Sequence, residues 1–445
     1  MSKKNFFWNL LICLSISIAM LASVSACTQS TTQSTTTAPK TQSTTAALTT
    51  QSTTKAVQST TVAPTTQSTT TAAASTKTLK IGGIYTLSGE GAGTELFSRD
   101  GAVLGASWVN DNGGVTINGE KYQIELVIED GKGTVEGCVA AATKLIEMDQ
   151  VNYIVGGNRP DLIFAIQSIT EPAKVIFSMG FGGGVPGEIG ADKPYSFRPT
   201  PAGAEQIKVN FDYLVKTYPD AKTIALTGEQ GSGGDFFASV AKAEAEARGI
   251  KVVATELFPI GSKDIYSVLT KILASKPDVI DENVAYAETM ALVLKQAREL
   301  GFTGPIMSAG QADMAVILNM VGKENGTNYF TGSVEVSASD TPKMLKTIES
   351  LVKEKLNGTY ISDYNIGFDS VWCLAQAMEK AQSLDTTQIS SAWENMTSIE
   401  TSCGTGKMGG LQTYGANHLV VRQLPVTGLE NGEAKTFEWV PLDIP

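Results

Sequence analysis

The segment of the sequence that most resembles a chemical site is a glycine-rich loop, LSGEGAGTE (Leu87–Glu95), directly after a predicted strand, TLKIGGIYT. Glycine-rich turns of this kind often hold nucleotide phosphates. A P-loop requires GxxxxGK[ST] and a dinucleotide loop requires GxGxxG, but here the spacing is GxGxG, with Thr94 rather than lysine after Gly93. The loop is therefore predicted to turn the backbone sharply and approach a ligand closely, without binding a nucleotide or another cofactor.

Patterns for catalysis and for metal binding are missing from the sequence. The chain has one histidine, His418, and contains no GxSxG elbow and no CxxC or HxxxH spacing. Adjacent acids such as Glu129 and Asp130 are more simply explained as solvated groups at a strand end than as an acid/base pair. We therefore predict a protein that is not an enzyme and that holds no metal.

Strand and helix patterns alternate from Lys77 onward. The first series contains strands in YQIELVIEDG, VNYIVGG and KVIFSMG, a helix with Thr134 as its N-cap, and an apolar helix ended by Pro172. The second series follows SFRPTPAG, with helices over 202–218, 235–248, 264–274 and 288–300 between the strands TIALTG, KVVATELF, DVIDENV and PIMSA. Such βαβ units form parallel sheets, so we predict an α/β fold of two similar lobes with a cleft between their strand ends.

The N-terminal segments read as export and anchoring signals. MSKK, an apolar run from Phe6 to Val24 and the small residues that follow it are typical of a signal peptide, here residues 1–26. A membrane anchor is the alternative, which the marginal length of the run disfavours. VSAC resembles the lipobox of bacterial lipoproteins, which implies lipidation of Cys27. Residues 27–77 are almost entirely Thr, Ser, Gln and Ala, and are predicted to form a disordered tether.

Charge and cysteine content restrict the partners and the compartment. The net charge of −11 argues against nucleic acid as a partner, because phosphate binding needs a basic face. Once Cys13 is removed with the signal and Cys27 is lipidated, Cys138, Cys373 and Cys403 remain. Outside the cytoplasm this odd number permits one disulfide and one buried thiol. Cys373 and Cys403 are the favoured pair, although the spacing leaves the other pairings open.

Several motifs occur together in the order and spacing of one family. LKIGGIYTLSG and RDGAVLGASWVNDNGGVTINGEKYQIELVIEDGKG resemble the opening of extracytoplasmic solute-binding proteins of the branched-chain amino acid (Liv-type) ABC importer family. They supply a first strand, an LSG turn, a DGA helix start, a GG corner and an ED strand end. KQARELGFTGPIMSAG is similar to that family's second lobe, and GFDSVWCLAQAMEKA to its late helix. The resemblance covers about residues 79–445.

The resemblance implies a type I periplasmic-binding fold of two α/β lobes joined by three crossovers. Lobe 1 would comprise 78–198 and 333–418, and lobe 2 would comprise 199–332 and 419–445. The crossovers are expected near Pro199, near Gly332 and past His418. Such a protein, a monomer held by its lipid at the outer face of the bacterial membrane, closes around a small solute. It then delivers the solute to an ABC permease driven by a cytoplasmic ATPase. The alternative is a lipoprotein that senses a ligand and signals to a membrane receptor.

The resemblance also implies where the solute would bind. The contacts are expected from the loops after the strands of both lobes: Thr94, Phe97, Asn158, Arg159, Phe181, Gly182 and Gly183 in lobe 1, and Ser232, Tyr286 and Gln311 in lobe 2. Arg159 stands near the serine of the family, a glycine replaces its threonine, and Gln311 lies near a position that often bears glutamate. These departures weaken the assignment of an amino acid, so the predicted solute is amino acid-like, an aromatic carboxylate or an amide.

Arg159 has two interpretations at this stage. Its guanidinium is suited to clamp a carboxylate through two hydrogen bonds, and the alternative is an ordinary ion pair with Asp161. Phe181, Phe97 and Tyr286 are candidates for the wall around an apolar solute body, with lobe core as the alternative for Phe97.

Overall fold

The computed structural model describes residues 77–89, 91–231, 233–310, 314–336 and 340–444, apart from the side chain of Thr94. The predicted signal peptide, the lipidation site Cys27 and the tether up to residue 76 lie outside these residues, as do Ser232 and Gln311. Within the described ranges, no helix is long and apolar enough to cross a membrane.

The first sheet has six strands in the order β2-β3-β1-β4-β5-β6, and all neighbouring pairs are parallel except β2 and β3. The predicted N-cap is confirmed, because the Thr134 hydroxyl accepts a hydrogen bond of 3.0 Å from the Gly137 N–H. The elements in chain order are β1 (Lys77–Tyr85), α1 (Ala92–Asp111), β2 (Val115–Ile117), β3 (Glu120–Asp130), α2 (Val135–Glu147), β4 (Tyr153–Gly156), α3 (Pro160–Ala173), β5 (Ile176–Met179) and β6 (Ser196–Phe197).

The second series of elements repeats the alternation. It builds the parallel part of a second sheet, ordered β11-β10-β9-β7-β8. Strands β7, β9, β10 and β11 are buried, as expected for parallel strands between helices, whereas the edge strand β8 is only partly buried. The elements are α4 (Gly203–Thr217), β7 (Thr223–Glu229), α5 (Gly234–Ala247), β8 (Lys251–Phe258), α6 (Tyr266–Leu273), β9 (Val279–Asp281), α7 (Ala287–Glu299), β10 (Ile306–Met307), α8 (Met314–Val321) and β11 (Tyr329–Thr331).

The C-terminal part of the chain completes both sheets. Helix α10 packs against α1, and the hairpin of β15 and β16 extends the second sheet in antiparallel fashion beyond β11. A small antiparallel sheet, β12-β13-β14, lies beside the first core. The elements are α9 (Lys343–Leu356), α10 (Asp363–Ala381), α11 (Thr386–Glu394), β12 (Ile399–Thr401), β13 (Gly404–Gly409), α12 (Leu411–Tyr414), β14 (Leu419–Val421), β15 (Gln423–Glu430) and β16 (Glu433–Pro441).

The predicted α/β fold of two lobes is confirmed. Lobe 1 is the first sheet with α1–α3, α9–α11 and β12–β14, and lobe 2 is the second sheet with α4–α8. The chain passes between them after β6, after β11 and between β14 and β15. Val420 of β14 still belongs to the core of lobe 1, and the chain passes from β14 to β15 at Arg422, past His418.

Two glycines allow α1 and α10 to approach each other at backbone distance. A Cβ on Gly101 of α1 would lie 2.1 Å from the Tyr364 carbonyl oxygen, and a Cβ on Gly367 of α10 would lie 1.7 Å from the Ser98 carbonyl oxygen. Neither distance is possible for a real side chain. The contact between the two helices therefore depends on glycine at both positions.

Two predicted helix boundaries were wrong. Helix α1 begins at Ala92, ahead of the DGA motif at Asp100, because Gly91 takes the left-handed conformation (φ 88°) that ends the loop and opens the helix. Helix α3 continues past Pro172 to Ala173. A proline in the last turn removes one backbone donor but leaves the earlier turns intact, and the left-handed Lys174 ends the helix.

The predicted disulfide between Cys373 and Cys403 is not formed. Cys138, Cys373 and Cys403 are all free and buried. The Cys373 sulfur lies 3.7 Å from the Glu400 carbonyl oxygen, and the Cys403 sulfur lies 3.7 Å from the Ser402 hydroxyl, so each thiol has its own polar neighbour. Burial raises the pKa of both thiols, which keeps them in the neutral form.

Candidate functional site

A cavity of about 200 Å³ lies where the carboxyl ends of strands from both lobes meet. This is where open parallel sheets place their ligands, because the loops that leave the strand ends can vary without disturbing the sheet. Lobe 1 lines the cavity through the loops after β1, β4 and β5 and the first turns of α10. Lobe 2 lines it through the loops after β7, β8, β9 and β10.

Six of the ten predicted contact residues line this cavity: Asn158, Arg159, Phe181, Gly182, Gly183 and Tyr286. Phe97 does not line it, and its ring packs edge-on against Tyr364 at 5.5 Å between centroids. The Thr94 side chain, Ser232 and Gln311 lie outside the described residues, although Gly231 and Gly310 are part of the wall. The role of each residue in binding stays a prediction.

The wall residues that sequence reasoning missed include Glu95, Glu229, Phe237, Ile260 and Asp363. Glu229 is the last residue of β7, and Glu95 lies in the first turn of α1, directly behind the glycine-rich loop. Asp363 is the first residue of α10, and it reaches the cavity from a part of the chain that lies far from the other lobe 1 contacts in sequence. No local pattern predicts that return.

Arg159 is held in an ion pair with Asp161 rather than pointing freely into the cavity. Its Nε donates to Asp161 Oδ1 at 2.9 Å and its Nη2 donates to Asp161 Oδ2 at 2.6 Å, with a further bond of 3.3 Å from Nη2 to the Gly133 carbonyl oxygen. The paired carboxylate raises the pKa of Arg159, and the guanidinium lowers the pKa of Asp161. This geometry supports the interpretation of Arg159 as an ordinary ion pair with Asp161 over its interpretation as a carboxylate clamp.

Two carboxylates of lobe 1, the buried Glu95 and the partly exposed Asp363, line the cavity. Glu95 is only 6 % exposed, and its Oε2 accepts a hydrogen bond of 2.7 Å from the Thr86 N–H. Burial raises the pKa of Glu95 in spite of that bond and of the nearby Arg159. Burial also raises the pKa of Asp363 to about 7. Both acids are therefore costly to ionise in this cavity.

The glycine loop after β5 is held from behind by a buried ion-pair network. Glu188 accepts hydrogen bonds from the N–H groups of Gly183 (2.7 Å) and Gly184 (2.9 Å). Arg198, at the first passage between the lobes, donates to Glu188 at 2.9 Å and to Glu205 of α4 at 2.5 Å. All three side chains are at most 1 % exposed. The network thus connects a cavity loop of lobe 1 with the first helix of lobe 2.

The wall from lobe 2 is aromatic and acidic. Tyr286 lies at the N-terminus of α7 and is half-exposed, so its ring faces the open cleft. Burial of its hydroxyl raises the pKa of Tyr286, and the charges of Glu95, Asp363 and Glu229 raise it further. Glu229 Oε1 accepts hydrogen bonds from the Gly261 N–H (3.2 Å) and the Thr289 hydroxyl (3.1 Å). These contacts fix Glu229 at the edge of the cavity.

The cavity has the groups for reversible binding, with aromatic rings, backbone at glycines and fixed carboxylates. Across the described part of the chain, no group of three or more His, Cys, Asp and Glu side chains could hold a metal ion. His418 is not part of the cavity wall, and it is buried against Phe197 at 4.4 Å between ring centroids. The arrangement is that of a site that encloses a small molecule between two lobes.

Comparisons with known proteins agree with this geometry. Residues 78–434 match the family model described as periplasmic binding protein. An amino acid binding protein of Pseudomonas aeruginosa is 27% identical over 311 residues, which cover 68% of this chain and 79% of that protein. A branched-chain amino acid transporter substrate binding protein of Streptococcus pneumoniae, solved with isoleucine, has a TM-score of 0.67 at 22% identity and covers 81% of this chain and 99% of its own.

A third relative was solved with a different kind of ligand. The solute binding protein of an ABC transporter from Rhodopseudomonas palustris, in complex with 3,4-dihydroxy benzoic acid, has a TM-score of 0.66 at 20% identity and covers 82% of this chain and 98% of its own. Members of the matched family bind small solutes and act with ABC transporter permeases outside the cytoplasm. The match over 78–434 shows that this chain belongs to the periplasmic binding protein family.

Proposed function

We propose that this protein captures a small solute outside the cytoplasm, closes its two lobes around it and delivers it to the permease of an ABC importer. The observation that carries the proposal is the shared cavity. Asn158 and Phe181 approach it from lobe 1, and Glu229 and Tyr286 approach it from lobe 2. A solute that contacts both lobes stabilises the closed arrangement over the open one, because only the closed form makes both sets of contacts.

The size of the cavity supports a small solute. Its volume of about 200 Å³ is below the range of roughly 300–1,000 Å³ that is usual for drug-sized ligands. A solute of the size of an amino acid, an amide or a substituted aromatic acid fits this space better than a peptide or an oligosaccharide. The cavity volume is therefore compatible with each of the predicted solute classes: amino acid-like compounds, aromatic carboxylates and amides.

Anchoring and state of association belong to the same proposal. The VSAC sequence supports lipidation of Cys27 after removal of residues 1–26, with residues 27–77 as the tether of a monomer at the membrane surface. The Cys27→Ser variant is expected to leave the membrane fraction and to lose incorporation of labelled palmitate. Membrane retention of that variant without lipid would contradict the anchor.

The binding step is tested by closure. Small-angle scattering of residues 77–445 should show a smaller radius of gyration once a solute identified by thermal shift is saturating, since a ligand that binds only the native state also raises the melting temperature. The Tyr286→Ala variant should lose both effects. Tyr266→Ala, which removes an exposed tyrosine of lobe 2 outside the cavity, is the matched control and should keep them.

The delivery step is tested with the partner. Uptake into vesicles that contain the permease and ATPase of an ABC importer from the same organism should require both the protein and the solute. Saturable binding without closure, or with undiminished affinity in Tyr286→Ala, would contradict the proposed capture. Binding with closure but without any stimulation of uptake would contradict delivery to an importer.

A further inference from the structure

The first observation on the identity of the solute is the excess of acids in the cavity wall. Glu95, Glu229 and Asp363 approach the cavity from three different elements, and Arg159 is the one lysine or arginine among the described wall residues. No hydrogen bond from another described residue reaches the Asp363 carboxylate. The wall therefore offers acceptors and negative charge to a bound molecule.

The single cation of the wall is already neutralised. The Nε and Nη2 groups of Arg159 are both engaged by the carboxylate of Asp161 in a bidentate pair. A solute carboxylate would have to compete with Asp161, which is covalently held two residues away. It would also meet repulsion from Glu95, whose charge acts on Arg159. A clamp on a solute carboxylate is thus disfavoured by geometry and by charge.

Helix N-termini, the other common anion-binding groups, are also counterbalanced. Helices α1, α3 and α10 begin at the cavity, and each carries an acid in its first turn: Glu95, Asp161 and Asp363. The positive end of a helix dipole amounts to about half an elementary charge, so one carboxylate more than offsets it. These ends do not leave a net positive site for an anion.

Aromatic rings share the cavity with these acids. Phe181 of lobe 1 and Phe237 and Tyr286 of lobe 2 are part of the wall. Aromatic faces attract organic cations, and the attraction grows when water is excluded. In a closed cleft, a cationic group would also pair with these carboxylates, none of which has a cationic partner in a described ion pair, and the pairing would offset part of the cost of excluding water from them.

From these observations we infer that the cleft recognises a positively charged nitrogen: its solute is a small organic cation, such as an amine or an amino amide, rather than a free carboxylic acid. The inference rests on the proposed function and narrows it to one class of solute. Glu229 and Asp363 contact the cationic group, and the three aromatic rings enclose the body that carries it.

The test is a binding screen by charge class. Residues 77–445 are screened by thermal shift and calorimetry against sets of cations, zwitterions, anions and neutral compounds that share the same bodies. One such set is phenylalaninamide, phenylalanine, 3-phenylpropionate and 3-phenylpropionamide. The cations should bind at least about tenfold more tightly than the matched carboxylates, as expected for a desolvated cation among aromatic rings and acids. Tighter binding of the carboxylates would overturn the inference and leave the proposed function standing. Failure of every class to bind would overturn both.

Neutralising variants then test the residues. Glu229→Gln and Asp363→Asn keep the side-chain shape and should each weaken binding of the best cation at least about tenfold, as expected for loss of a charge-assisted contact. Neither variant should weaken binding of a matched neutral compound to the same extent, which separates loss of charge from a disturbed fold. Glu288→Gln, an exposed acid in the first turn of α7 outside the wall, is the control and should bind as the wild type does. Unchanged cation affinity in both cavity variants would overturn the inference.

Discussion

Replacing Arg198 by methionine removes the one cation that two buried carboxylates share. The guanidinium donates to Glu188 at 2.9 Å and to Glu205 at 2.5 Å, and the three side chains are at most 1 % exposed. Methionine fills most of the same space without charge. The Arg198→Met variant therefore isolates the electrostatic role of this network at the passage between the lobes.

The expected loss in the free energy of unfolding depends on the hydrogen bonds that Glu188 and Glu205 retain in the variant. Breaking one buried ion pair typically costs about 3–5 kcal/mol, because the remaining charge is left unpaired. Glu188 keeps the N–H groups of Gly183 and Gly184, and Glu205 keeps the Ala202 N–H at 2.7 Å, so neither carboxylate becomes fully isolated. We expect the free energy of unfolding to fall by about 4 kcal/mol at pH 8, near the middle of that range.

The loss should shrink as the pH falls. Burial already raises the pKa of Glu188 while Arg198 is present, and removing the cation raises it further. In the variant, the folded state then binds a proton that the unfolded state has released. Stability therefore increases by about 1.4 kcal/mol for each pH unit of acidification per bound proton, down to the unfolded pKa. Most of the loss seen at pH 8 should be recovered at pH 5.

Urea unfolding at pH 8 and pH 5 measures these changes. Arg248→Met is the matched control, because Arg248 also bridges two carboxylates, Asp212 and Glu244, but lies nearer the surface. It should lose only about 1 kcal/mol at either pH. Changing Glu188 and Glu205 to glutamine together with Arg198→Met should restore most of the stability. A loss at pH 8 no larger than that of Arg248→Met, or an equal loss at both pH values, would refute the reasoning.

Three further predictions concern packing, burial and charge. Gly101→Ala should reduce the free energy of unfolding, measured in urea, by about 1–3 kcal/mol or more, because the added Cβ has no space. Gly93→Ala, in the same helix but facing open space, is the control and should raise the free energy of unfolding by up to about 1 kcal/mol. Equal effects of the two substitutions would contradict the close contact between α1 and α10. Burial raises the pKa of Asp281 to about 7, so the folded state holds this proton after the unfolded state has released it. The free energy of unfolding should therefore fall by about 4 kcal/mol as the pH rises from about 4 to 7. Asp281→Asn should abolish this fall, and an unchanged pH profile in the variant would exclude Asp281 as its source. Arg159→Ala should raise the affinity for a cationic solute, measured by calorimetry. A clear fall in the affinity for a carboxylate in this variant would instead support the interpretation of Arg159 as a carboxylate clamp.

Most of the fold could be predicted because it depends on local patterns. Apolar strands separated by amphipathic helices dictate parallel sheets, and the position of Thr134 dictates the start of α2. The same logic predicted the cavity, because loops after parallel strands converge at one edge. Asn158, Arg159 and Tyr286, in contrast, were predicted from the family resemblance, which supplied the individual residues of these loops.

The remainder depends on contacts between distant segments, which no local pattern encodes. Asp363 reaches the cavity only because α10 returns to pack on α1. Glu188 and Glu205 meet at Arg198 only because the chain turns from one lobe to the other there. The free thiols of Cys373 and Cys403 are likewise a matter of orientation in the folded core, which spacing along the chain cannot reveal.

The close contact between α1 and α10 has a consequence for the order in which the protein can mature. The Ser98 carbonyl of α1 lies against Gly367 of α10. Helix α1 is therefore synthesised early but can pack against α10 only after the whole of α4 to β11 has been synthesised. Contacts so distant along the chain slow folding. A nascent chain that ends at β11 would expose the apolar face of α1, and such intermediates are prone to aggregate. The parallel strands β7–β11 of lobe 2 are consecutive and can pair before α10 reaches α1, and the hairpin of β15 and β16 then completes that sheet last.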